Sequence, residues 1–151
     1  MMRVMPLDPK PESLREFIDQ TIVDTLAGCT QCGRCYEVCP MPTYSKTLES
    51  EVAQSVVADV LSVLRREPGS ARALEWIRIC TQSASCIPAC PEGVNPMLML
   101  RTARMVALGS LGDPRQMQGR EEPQFFRKID AYAALQLDDQ ELAEWHDRRL
   151  P

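Results

Sequence analysis

From Ser13 to Ala27 the apolar residues Leu14, Phe17, Ile18, Ile22 and Leu26 recur at intervals of three and four, the spacing of one helix face. Ser13 and Glu16 make a capping-box pair ahead of this stripe, and Gly28 ends it. The pattern returns from Thr47 to Glu67, where Leu48, Val52, Val56, Val60 and Val63 share a stripe. Glu49 and Glu51 lie early in that segment, Arg65 and Arg66 late, and Pro68-Gly69 beyond, so a long amphipathic helix is predicted. Ser70 is placed to cap a shorter helix through Ile79, and Asn95-Pro96 supplies the N-cap and first position of a helix from Pro96 to about Leu108, stopped by Gly109 and Gly112. Period-two alternation is scarce, so the expected fold class is all-α, with cysteine-bearing loops between helices.

Two segments are expected: residues 1–111 as the cysteine-rich domain and residues 112–151 as a polar C-terminal extension. The extension is punctuated by Glu121-Glu122-Pro123, with short helices predicted around Phe125 to Leu135 and from Asp138 to Arg149. A loosely packed tail is the preferred reading of it. The alternative is a partner-docking arm, because Phe125, Phe126, Tyr132, Leu135 and Trp145 give it more aromatic character than an inert tail needs.

Charge and hydropathy narrow the function classes. The 151-residue chain has a formal net charge of -4, which argues against a nucleic-acid partner, since phosphate neutralisation needs clustered Lys and Arg. The longest apolar stretches, such as Val56 to Leu64, are interrupted by Asp59 and Ser62 and fall short of the ~20 residues that span a bilayer, so no transmembrane segment is predicted. Met1 to Lys10 lacks the pattern of a secretion signal, making the cytoplasm the expected compartment. Seven cysteines are an odd number for a secreted disulfide framework, and a reducing compartment leaves such thiols free to bind metal.

The cysteines carry the chemistry. Cys29, Cys32, Cys35 and Cys39, followed by Pro40, form a complete C-x2-C-x2-C-x3-C-P run, the spacing of iron-sulfur proteins. Three thiolates at this spacing can wrap three corners of a cubane, with Gly33 giving room beside the inorganic core. In two-cluster proteins the fourth cysteine of such a run ligates the other cluster. The run recurs at Cys80, Cys86, Cys90 and Pro91 with Ser83 in place of the second cysteine. Exchanging fourth ligands assigns Cys29, Cys32, Cys35 and Cys90 to a first, 4Fe-4S cluster. Cys39, Cys80 and Cys86 then hold a second, either 3Fe-4S or an open 4Fe-4S with Ser83 or solvent as the fourth ligand. Backbone amides or the Tyr36 hydroxyl are candidate donors to the cluster sulfurs.

Rival readings stay beside this one. Zinc also uses C-x2-C pairs, but zinc ribbons set two pairs well apart and have no use for a third cysteine two residues on. His146, the sole histidine, lies in the polar extension and is expected to be solvated. No nucleophile, acid–base pair or phosphate loop marks a catalytic site, so catalytic residues are not assigned. An iron-sulfur sensor would need a nucleic-acid-reading element, which the acidic balance does not supply.

The first run together with Cys80 to Pro96, read as C-x5-C-x3-C-P-E-G-V-N-P, resembles the α-helical ferredoxin domain of succinate dehydrogenase and fumarate reductase iron-sulfur proteins over roughly Ser13 to Gly109. That resemblance implies a 3Fe-4S cluster in the second motif and crossed ligation at the positions above. Those proteins also carry a 2Fe-2S domain, and no cysteine precedes Cys29 to hold one. A helical two-cluster domain opening with a helix and Cys-Thr-Gln-Cys-Gly-Arg-Cys more closely resembles the small two-cluster iron-sulfur component of heterodisulfide reductase and its bacterial relatives, whose members usually keep eight cysteines where this chain has Ser83. This second resemblance implies a non-catalytic electron-transfer subunit of an oxidoreductase complex. Its partners would be a protein like the heterodisulfide reductase component whose own cysteine-rich domains carry the disulfide or sulfur chemistry, and a flavin-containing protein upstream. A quinone-linked electron-transfer protein of the succinate dehydrogenase type is the alternative.

Overall fold

Ser13 turns its side chain back to accept from the Glu16 backbone N–H, and the first helix, α1 (Leu14–Gly28), starts behind it as the capping pair predicts. The structure is a computed structural model that describes residues 13–118 and 125–147. Every regular element among these residues is helical, with no strand, as the scarcity of period-two patterning predicts. After α1 come the single turn α2 (Arg34–Glu37), a 3-10 turn at Pro42–Tyr44, α3 (Ala53–Leu64), α4 (Ala71–Ile79), α5 (Pro96–Ala107), α6 (Phe125–Gln136) and α7 (Asp139–Asp147). Ser70 caps α4 by accepting from the Ala73 amide, and Asn95 caps α5 by accepting from the Leu98 amide.

The long helix expected from Thr47 to Glu67 is shorter at both ends. It begins at Ala53 behind an extended Val52, while residues 45–49 form turns in which Leu48 and Glu49 donate to the Ser45 carbonyl. Leu48 is still buried, so its place on the apolar stripe reports packing and not helical backbone, and Val52 is 59% exposed. The Tyr36 hydroxyl donates to the Leu48 carbonyl, which ties this turn to α2 and draws it out of the helix.

Val56, Val57, Val60, Leu61, Val63 and Leu64 are all buried, so α3 is apolar on most sides and packs against α1, α2, α4 and α5. Ile18 and Ile22 of α1, Trp76 and Ile77 of α4, and Met99, Leu100 and Val106 of α5 close the core around it. Polar ties hold the periphery. Asp59 accepts from Ser70 and Arg72, Arg72 also pairs with Glu51, and Arg66 pairs with Asp113.

Chain contacts divide between Met117 and Gln118. Residues 112–117 belong with the first unit because Gln116 donates its backbone amide to the Ala107 carbonyl and accepts from the Gly69 amide through its side chain. In the second unit α6 packs on α7, and Asp138 caps α7 by accepting from the Gln140 and Glu141 amides, which starts that helix one residue later than predicted. Tyr132 and Leu135 are exposed on α6, and His146 is half-exposed and within 3.5 Å of Asp130. The readings of Met1 to Lys10 and of Glu121-Glu122-Pro123 lie outside the described residues.

Candidate metal centre

Each cysteine run begins at the C-terminus of a helix, with Cys29 capping α1 and Cys80 capping α4. An offset of 51 residues carries Cys29 onto Cys80, and the local conformations that follow repeat. Gln31 and its counterpart Gln82 both have φ of 59°, and Gly33 (φ 83°) matches Ala84 (φ 63°). The turn bonds repeat as well: Tyr36 N–H donates to the Gly33 carbonyl and Cys39 to Tyr36, while Ile87 donates to Ala84 and Cys90 to Ile87. In the first loop the Glu37 N–H adds a further bond to Gly33, giving the helical turn α2. Pro88 stands at the matching position without an N–H, so the second loop stays a turn.

Left-handed backbone at three non-glycine residues in two short loops is uncommon and costs about 1–2 kcal/mol apiece. The duplicated frame therefore persists at Ser83 although the cysteine is gone. At Gly33 the lack of a side chain serves packing: a Cβ there would lie 2.7 Å from the Ala53 Cβ and 3.0 Å from the Gln54 amide, so the start of α3 presses on the first loop.

None of the seven cysteines is in a disulfide; Cys35 and Cys86 are buried and the others half-buried. The Cys29 thiol is raised above its ordinary value by burial, partly offset by the Gln31 backbone N–H, with further upward pressure from Cys90 and Cys32. Burial also pushes Cys35 up to about 12, helped by the charges of Cys29, Cys86 and Cys32. Cys86 is raised by burial and then by Cys39, Cys80 and Cys90. Thiols of the two runs thus act on one another, Cys90 on Cys29, Cys86 on Cys35 and Cys39 on Cys86. Crowded, desolvated thiols disfavour their own ionisation until a cationic core neutralises them, which suits an iron-sulfur centre.

Cys39, Cys80 and Cys86 line one small cavity with Met41, Trp76, Ser83, Met97 and Leu100. Cysteines from both runs meet there, and Ser83 stands at its exposed edge with its hydroxyl 3.3 Å from that of Ser85. Among the described residues no three His, Cys, Asp or Glu side chains converge closely enough to hold a single metal ion. Cys39, Cys80 and Cys86 supply the sulfur donors that an iron-sulfur cluster takes.

Residues 28–95 match the family model of the 4Fe-4S dicluster domain. No curated protein and no solved structure gives a match. The dicluster match takes in all seven cysteines and supports an iron-sulfur, ferredoxin-like protein with an electron-transfer role. No helix among the described residues is long and apolar enough to cross a membrane.

One side chain of the dicluster domain acts differently from the sequence-based reading, and another has a role that reading missed. The Tyr36 hydroxyl, a candidate donor to cluster sulfur, donates instead to the Leu48 carbonyl at 2.8 Å. A donor that spacing does not reveal points at a cysteine instead: the Trp76 indole N–H reaches Cys39 Sγ at 3.4 Å. A buried tryptophan so near a cysteine run is the one signal that could have suggested it, because a buried indole N–H needs an acceptor.

Proposed function

We propose that the chain is the electron relay of a heterodisulfide reductase-like complex, resembling the small two-cluster component of that enzyme, and holds two clusters by crossed ligation. Cys29, Cys32, Cys35 and Cys90 hold a 4Fe-4S cluster; Cys39, Cys80 and Cys86 hold a 3Fe-4S cluster or a 4Fe-4S cluster completed by Ser83 or solvent. The observation that carries this reading is the duplicated loop together with one cavity lined by Cys39 of the first run and Cys80 and Cys86 of the second. When bound, such clusters supply one-electron oxidation and reduction.

The chain's own part is to fix ligands and exclude water. The left-handed residues Gln31 and Gln82 shape the loops, and the start of the valine-rich α3 backs the first of them. A cysteine-rich protein carrying disulfide or sulfur chemistry and a flavin-containing protein are the partners this reading calls for, in the cytoplasm. The exposed Tyr132 and Leu135 of α6 make the second unit a docking arm for one of them.

Iron, sulfide and EPR analysis of anaerobically purified protein tests the reading. About seven irons per chain (four plus three), an oxidised 3Fe-4S signal and a reduced 4Fe-4S signal are expected. Eight irons without the oxidised signal would assign the fourth position of the second site to Ser83 or solvent. Stoichiometric zinc in place of iron would overturn the electron-relay reading.

A further inference from the structure

Trp76 is fully buried on α4, four residues ahead of Cys80, and its N–H donates to the Sγ of Cys39, a residue 37 positions away in the chain. Its ring meets Tyr36 edge-on, with centroids 5.1 Å apart and planes at 79°. Tyr36 is itself buried and pinned by its hydroxyl bond to Leu48, so the indole has little freedom to turn its N–H away from the sulfur. Trp76, Cys39, Cys80 and Cys86 line the same cavity. The 51-residue offset places Thr25 of α1 at the equivalent position before the first loop, and threonine has no indole donor to offer. The donor therefore belongs to one site only.

We infer that Trp76 is a positioning residue that raises the redox potential of the second site by donating its indole N–H to Cys39 Sγ. The inference rests on the dicluster reading proposed above. A reduced cluster carries one more negative charge than its oxidised form, part of it on the ligand sulfurs, and a fixed N–H dipole stabilises that charge preferentially. No bond forms or breaks; the electron comes from the reduced partner in the complex and from dithionite in the test. The second site is thereby set as the better acceptor relative to its own potential without the donor.

The test is an EPR-monitored redox titration of the anaerobically assembled full chain in three forms: wild type, Trp76→Phe, and Trp76 replaced by β-(3-benzothienyl)alanine, which keeps the indole shape without the N–H. At fixed applied potential the reduced-to-oxidised ratio of the second site should fall about tenfold in both variants, which is ~59 mV for a one-electron couple. The first site should not move. An unchanged or raised second midpoint in a variant with full iron content would overturn the inference and leave the dicluster reading standing. Wild-type protein lacking iron would remove both. Should either variant fail to fold, deuterium-exchange ENDOR on the wild type decides: an exchangeable proton coupled to the second cluster is expected, and its absence would contradict the role of Trp76.

Discussion

The loop from Cys29 to Pro40 and the loop from Cys80 to Pro91 share a backbone frame but have different surroundings. In the first, the left-handed position after the second ligand is Gly33, jammed against Ala53 and Gln54 at the start of α3. In the second, the matching position is Ala84, which accepts φ of 63° with a Cβ present. The first loop keeps Cys32 where the second has the exposed Ser83, and the cavity beside the second has an indole aimed at one of its thiols. The two loops share the frame and differ in contents, so backbone and side-chain identity are separable here. The second loop keeps the turn bonds to the Ala84 and Ile87 carbonyls with a serine at position 83.

Gly33→Ala breaks the comparison most strongly. The added Cβ has nowhere to go and the φ is unfavourable, so overpacking and backbone strain together should cost about 2–4 kcal/mol and release iron from the first site. Thermal unfolding with iron analysis checks it; a variant as stable and as metal-rich as wild type would show that α3 does not hold the first loop. Ser83→Cys should make the two loops alike by restoring a fourth thiolate on a frame that already fits it. If the second site is 3Fe-4S, iron should rise by about one per chain with loss of the oxidised 3Fe-4S signal, and a persisting 3Fe-4S signal with unchanged iron would mean that the Ser83 position does not face the cluster.

A smaller effect separates the supports of the two loops. The α4 helix that delivers Cys80 is tied to α3 through Asp59, which accepts from Ser70 and Arg72. Burial raises the Asp59 pKa, but the Arg72 and Ser70 hydrogen bonds and the Arg72 charge outweigh it and hold the carboxyl below its ordinary range. A depressed carboxylate contributes fully above its unfolded value, about 3.9, and its contribution disappears as pH falls through the lower folded value. Asp59→Asn should therefore lower Tm by a few degrees at neutral pH. The gap should stay constant down to about pH 5 and close below about pH 4, and a gap that widens in acid would contradict this role for Asp59. The smallest change is Ala84→Gly, which relieves left-handed strain at the cost of chain entropy. A gain of no more than about 1 kcal/mol is expected in denaturant unfolding, with iron content unaltered.

Much of this was legible in the sequence because it depends on local chemistry. Ser13, Ser70 and Asn95 announce their helices through side chains that reach an amide three positions on, and the cysteine spacing announces the two loops. The features that were not legible depend on distant partners. Leu48 follows helical periodicity because it is buried, yet the Tyr36 hydroxyl takes its carbonyl and Val52 turns outward, so periodicity overstated the length of α3. The contact of Gly33 with Ala53 and the donation from Trp76 to Cys39 join segments 20 and 37 residues apart, and no local pattern encodes either.

Crossed ligation is the central claim, and EPR of Cys39→Ser and Cys90→Ser, oxidised and reduced, tests it most directly. Cys39 lies in the first run and Cys90 in the second. With crossed ligands, Cys39→Ser should perturb the second-site signal and spare the first, whereas Cys90→Ser should do the reverse. Each variant losing the signal of its own run would contradict it.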